Sequence, residues 1–125
     1  MATFVDAGIE YVAKLINGVS TDPFTYMAIG SGDTAEANGQ TALVTEYVDF
    51  GLERVGATCA YEASGKATWS KEFTCANDGK TVNEVGILDA AAAGNMLMRH
   101  KFTSTKNLDT GDKLTVSVTF TETRT

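Results

Sequence analysis

Histidine, tryptophan and proline each occur once in the 125 residues, and cysteine occurs twice. So few His and Cys side chains leave little material for a metal centre or for a nucleophile with its general base. Basic residues are also short, with 10 Lys and Arg against 16 Asp and Glu. The resulting net charge of −6 has the wrong sign for a surface that binds phosphate backbones, so no nucleic-acid partner is expected. No run of about 18 apolar residues is present, and no membrane-spanning helix or membrane partner is expected. The apolar stretch 4–16 is broken by Asp6, Glu10 and Lys14 and lacks a basic leading segment, so it does not read as a secretory signal. There is no Asn-x-Ser/Thr sequon, internal repeat or low-complexity tract.

What is present suits one folded domain spanning 1–125. The hydrophobic fraction is 43%, and a chain of this length can bury one core without metals or disulfides. Eighteen threonines favour pleated, half-exposed surfaces and point to sheet. The acidity is uneven. Residues 1–63 carry nine acids and two bases, Lys14 and Arg54, whereas 64–125 carry seven acids and eight bases. Six acids and no base lie from Asp22 to Glu53, which reads either as a solvated loop or as a surface for a basic partner.

Periodicity gives one helix followed by strands. Val5, Ile9, Val12 and Ile16, with Leu15 beside them, form an apolar stripe that predicts a helix over about 3–17. Thr3 and Asp6 stand where a cap forms, and Gly18 stands where a helix ends. Residues 24–29 read as a buried strand. Residues 45–61 read as an extended strand with Val48, Phe50 and Leu52 on one face and a bend near Gly51 or Gly56. A turn at 62–65 precedes a strand with Ala67, Trp69, Phe73 and Cys75 on one face. Strands 82–88 and 96–102 follow, then a polar loop over 103–112. The last strand alternates Leu114, Val116, Val118 and Phe120 with Thr115, Ser117, Thr119 and Thr121, and its Thr-rich face continues to 125. The expected fold is mainly β, an antiparallel β-sandwich or partly rolled sheet over 24–125, with one N-terminal α-helix in 1–18.

The candidates for chemistry have plain structural readings. Pairing around 62–65 sets Cys59 near residue 70, about 17 Å from Cys75. That exceeds the ~7 Å a disulfide tolerates, so two free, buried thiols are expected. His100 has no second histidine and reads as packed or at an interface. Gly30-Ser31-Gly32-Asp33 lacks the Gly-Lys or third glycine of phosphate loops and reads as a tight turn. Asp33 with Glu36, and Asp109 with Asp112, lack the spacing of a calcium loop. Trp69 has the parity of a core residue, against a sugar-binding platform. No catalytic residue, cofactor or metal is expected. Glu84 and Glu46 read either as buried carboxylates that cap amides or pair with Arg54 or Arg99, or as solvated strand acids.

One order of segments is familiar. The helix leads to Phe24-Thr25-Tyr26-Met27-Ala28-Ile29-Gly30-Ser31-Gly32, then Thr41-Ala42-Leu43-Val44-Thr45-Glu46 and Glu53-Arg54. Later come Val82-Asn83-Glu84-Val85-Gly86-Ile87-Leu88-Asp89, Met96-Leu97-Met98-Arg99, and Gly111-Asp112 before the final strand. This resembles the small tail-fibre-like virion proteins of tailed viruses and the N-terminal domain of tail-collar fibre proteins, with Leu88 where an aromatic usually stands.

The resemblance implies a non-enzymatic structural protein of the virion, made in the host cytoplasm. Because the sequence ends at Thr125 without a shaft or tip, the first expectation is a capsid decoration (cement) protein docked in many copies on the major capsid protein. The alternative is a tail, baseplate or fibre-attachment component with tail or baseplate partners, and a carbohydrate-binding module is the remaining class. A homo-oligomer is expected, a trimer being natural at capsid three-fold positions. Candidate interface residues are Asp33 and Glu36 in the acidic loop, Met96 and Met98 as exposed apolar contacts, and Lys106, Asp109 and Asp112 in the loop 103–112.

Overall fold

A computed structural model describes residues 2–122. Helix α1 (Asp6–Ile16) follows a two-residue strand, β1 (Thr3–Phe4). The remaining strands are β2 (Tyr26–Gly30), β3 (Val55–Gly56), β4 (Thr58–Glu62), β5 (Lys66–Thr74), β6 (Lys80–Leu88), β7 (Met96–Leu108) and β8 (Lys113–Thr121). They form a five-stranded sheet in the order β1-β7-β6-β2-β3 and a three-stranded sheet in the order β4-β5-β8. Every pairing is antiparallel. The molecule is thus mainly β with one short helix, the class the alternation predicts.

The larger sheet is covered on both faces, as the unbroken burial of Val82–Leu88 in β6 shows. Between the sheets, Met27, Ile29, Val85, Ile87 and Met98 meet Trp69, Phe73 and Val116. On the opposite face Val5, Ala28, Leu43, Leu88 and Met96 form a second core beneath the long loop after β2. Gly86 makes room for that loop. A Cβ there would lie 2.9 Å from Leu43 Cδ2 and 3.1 Å from Met96 Sδ. Each large apolar side chain buried this way contributes about 1.5–3 kcal/mol.

The helix starts later than its periodicity suggests, because Thr3 and Phe4 are drawn into β1 opposite Arg99 and Met98. Thr3 is not a cap, since its hydroxyl donates to Glu36 Oε1 at 2.6 Å. Val5 occupies the N-cap position without a side-chain cap, and the Asp6 amide donates to Asn38 O at 2.8 Å. The expected stripe is split. Val5 is buried and Val12 and Leu15 are half-buried, but Ile9 and Ile16 face solvent, Ile16 being 82% exposed. The buried helix residue is Gly8, where a Cβ would stand 2.3 Å from Leu97 O, so α1 rests directly on the β7 backbone.

Two other expectations are corrected. Residues 45–54 are largely irregular rather than a strand. Phe50 and Gly51 have φ of 67° and 76° and reverse the chain, so Val48 is 80% exposed while Leu52 is fully buried. The polar segment after Phe102 continues β7 to Leu108, and the connecting loop shrinks to 109–112. Alternation hid this half of β7 because Thr103, Ser104, Thr105 and Asn107 are all exposed. Thr115, Thr119 and Thr121 do line the exposed face of β8, while positions 123–125 lie outside the described residues.

Candidate functional site

Three polar clips hold the irregular segments against the larger sheet. The first joins β6 and β7. Glu84 and Arg99, both fully buried, pair through Arg99 Nε at 2.8 Å. Glu84 also accepts the amides of Gly32 at 3.0 Å, Val44 at 2.9 Å and Thr45 at 2.8 Å. Arg99 Nη1 donates to Thr34 O at 2.9 Å and Gln40 Oε1 at 3.3 Å, while Nη2 has no partner among the described residues. One carboxylate and one guanidinium therefore fix both ends of the loop 31–46. Gly30 and Gly32 permit this, since a Cβ at either would meet Glu84 Oε2 within 2.6 Å.

The second clip is Glu46 with Arg54. Arg54 Nε and Nη2 donate to the two carboxylate oxygens at 2.9 and 2.7 Å, and Nη1 donates to Ala90 O and Ala93 O at 3.0 and 2.7 Å. This bidentate pair ties the 46–54 segment to the β6–β7 turn. The carboxylates Glu84 and Glu46 are thus amide-capping and arginine-pairing groups, not solvated strand acids.

The third clip is Glu36. Its oxygens accept Thr3 Oγ1 at 2.6 Å and the Lys101 amide at 2.8 Å. His100 Nδ1 lies 3.2 Å away but off the hydrogen-bonding line, and has no hydrogen-bond partner among the described residues. Burial raises the Glu36 pKa, but the hydrogen bonds from Thr3 and Lys101 and the charge of His100 outweigh it and hold the carboxyl below its ordinary value.

The candidate interface residues do not converge on one place. Asp33 is exposed on the loop, whereas Glu36 is half-buried and engaged as described. Met96 and Met98 are corrected outright, because they are buried in the two different cores. Lys106 lies on β7, its ammonium 5.7 Å from the Phe102 ring. Asp109 and Asp112 shape the β7–β8 turn. Asp109 accepts the Gly79 amide at 3.0 Å, and Asp112 accepts the Asp109 amide at 2.8 Å. The cysteines are unpaired, but Cys59 is exposed and only Cys75 is buried, because Cys59 lies on the edge strand β4, whose residues are all exposed. Trp69 is 7% exposed and donates its indole N–H to Phe24 O at 2.7 Å, so it belongs to the core.

One accessible hollow, of about 380 Å³, is polar and lies over the second clip, lined by Glu46, Tyr47, Glu53, Arg54 and Ala92. Another is apolar and lies at the sheet edges. A groove of about 250 Å³ separates β1 from β8, lined by Phe4, Trp69, Leu97, Met98, Val118 and Phe120. Phe4 and Phe120 meet edge to face at its rim, 5.4 Å apart. Sequence reasoning missed this groove, since it depends on how far the two sheets are splayed. Among the described residues, no group of three His, Cys, Asp or Glu is placed to hold a metal ion.

A β-sandwich whose buried ion pairs secure loops, and whose accessible features are sheet edges, an apolar groove and a hollow beside Arg54, has the build of a structural module. Residues 11–122 match the family model of the podophage GP4 fiber I protein gp80, and the chain belongs to that family. It is a structural protein of the phage virion. No curated protein matches the sequence. The family favours the fibre alternative over capsid decoration and gives the tail-collar likeness no separate support.

Proposed function

We propose that this protein is a non-enzymatic component of a phage tail fibre or of the attachment between fibre and tail, acting through protein–protein contacts. The observation that carries this reading is the fibre-family match over residues 11–122. The polar interior supports it. The carboxylate of the buried pair Glu84–Arg99 is taken up by loop amides, and its guanidinium is held by Thr34 O and Gln40 Oε1, so both ions are committed to the loop 31–46. The partners are tail and fibre proteins. The carbohydrate-binding alternative loses its tryptophan platform, since Trp69 lies in the core.

Immunogold labelling of intact virions tests the proposal. Gold is expected on the tail or its fibres, and purified protein is expected to bind isolated tails but not emptied heads. Gold distributed over the head lattice would overturn it.

A further inference from the structure

Among the described residues the three-stranded sheet has two free edges, and we propose that they belong to each other, with β4 of one copy adding as a strand to β8 of the next. This rests on the sheet's geometry and not on where in the virion the chain sits.

Both edges are open to a new strand. Every residue of β4 is exposed, and the strand has no proline, no lysine and one charge, Glu62 at its end. These are the devices that keep edges from pairing, and their absence leaves β4 a template. The free edge of β8 borders the apolar groove between Phe4 and Phe120.

The register through β5 fits the two edges together. β4 and β8 are each antiparallel to β5, so they run in the same direction and would pair in parallel. A copy related by rotation about an axis along the strands keeps each residue at its own level. Cys59 and Val118 both oppose Trp69, Tyr61 and Phe120 both oppose Ala67, and Glu62 and Thr121 both oppose Lys66. The incoming Tyr61 therefore arrives beside Phe120 on the inner face, at the level of the groove. In the single chain Tyr61 is 79% exposed, although it lies on the face that packs inward elsewhere in the sheet.

The charges agree on the outer face. The incoming Glu62 stands beside the neutral Thr121, with Lys66 of the receiving copy one strand further on, so the row brings no like charges together and places an acid two strands from a base. The other outer rows bring Thr58 to Ser117 and Ala60 to Thr119 without charge. Such a contact is heterologous, and repeating it gives a ring or a filament. Parallel pairing over five residues is weak singly and gains strength through repetition.

Oxidative cross-linking of full-length protein tests the pairing directly. In the Val118→Cys variant, residue 118 and Cys59 of the next copy are neighbours, giving a ladder of covalent species beyond the dimer. Within one chain they are separated by β5, about 9.6 Å, too far for a disulfide. Wild type, with Cys59 accessible and Cys75 buried, stops at the dimer or below. Ala60→Cys combined with Thr119→Cys in a Cys59→Ser background, all at exposed sites, repeats the test on the outer face. Light scattering supplies the second readout. The wild-type mass rises with concentration, and Tyr61→Lys, a change at a solvent-facing site, weakens association by about ten-fold or more. A wild type monomeric at every concentration, unchanged association in Tyr61→Lys, or cysteine variants that yield no species beyond the dimer would overturn the proposal. The first of these results would leave the groove to a foreign partner.

Discussion

Glu84 is the residue on which the long loop depends. It is fully buried and accepts three backbone amides besides Arg99. Breaking a buried ion pair from one side leaves an uncompensated charge, at a cost of about 3–5 kcal/mol. Arg99→Met is therefore expected to lower unfolding stability by that amount in urea titrations, and a loss under about 1 kcal/mol would show that water reaches Glu84. Glu36 provides a pH signature. Its folded pKa lies below the ordinary 4.5, so its contribution is present above that value and is lost as pH falls through the folded pKa. Glu36→Gln should be less stable than wild type near neutral pH, and the gap should close in acid. A gap that stays constant with pH excludes the mechanism. In the sequence, Glu84, Glu46, Arg54 and Arg99 were visible as candidate partners because an acid inside an apolar run needs a reason. Which acid met which arginine was not, because that depends on strand register and loop path. Met96 and Met98 misled because a short turn beside them suggested exposure, while β7 is buried on both faces there.

At the scale of elements, α1 is held by contact rather than by a cap. Gly8→Ala separates two effects of opposite sign. Alanine favours an isolated helix over glycine by about 1 kcal/mol. Here its Cβ would meet the Leu97 carbonyl of β7, which is backbone and cannot swing aside. Overpacking of that kind costs about 1–3 kcal/mol, so the substitution is expected to lower the melting temperature. An unchanged or raised value would mean that α1 lifts off β7 freely. The same contact explains why the stripe predicted the helix but not its buried face, since a glycine carries no hydrophobic signal. β5, β6 and β8 were legible because one or both faces are covered along most of their length. The second half of β7 and the 45–54 segment were not. The first has few core-facing side chains, and the second is fixed by the Glu46–Arg54 pair and by reversal at Phe50–Gly51.

Across the whole molecule, coverage is unequal. The larger sheet has a core on each face, and β6 has seven consecutive buried residues from Val82 to Leu88. The smaller sheet has one covered face, and β4 has neither face covered. Local opening costs least where few apolar contacts and many solvent-facing backbone bonds occur. Native-state hydrogen exchange in dilute solution should therefore rank the strands, with β6 amides opening only in global unfolding and β4 amides exchanging at far lower cost. Equal protection of β4 and β6 would mean that the hairpin unfolds only with the rest of the domain. The charge asymmetry of the sequence does not foretell this ranking. The six acids from Asp22 to Glu53 lie in or beside irregular segments, which Glu36 and Glu46 anchor, while β4 carries one charge, Glu62. The stable sheet thus acts as the platform, and the exposed hairpin is the part whose protection can still change when a neighbouring molecule adds to it. If copies pair edge to edge, slower exchange at higher protein concentration should be confined to β4 and β8 and absent from β6.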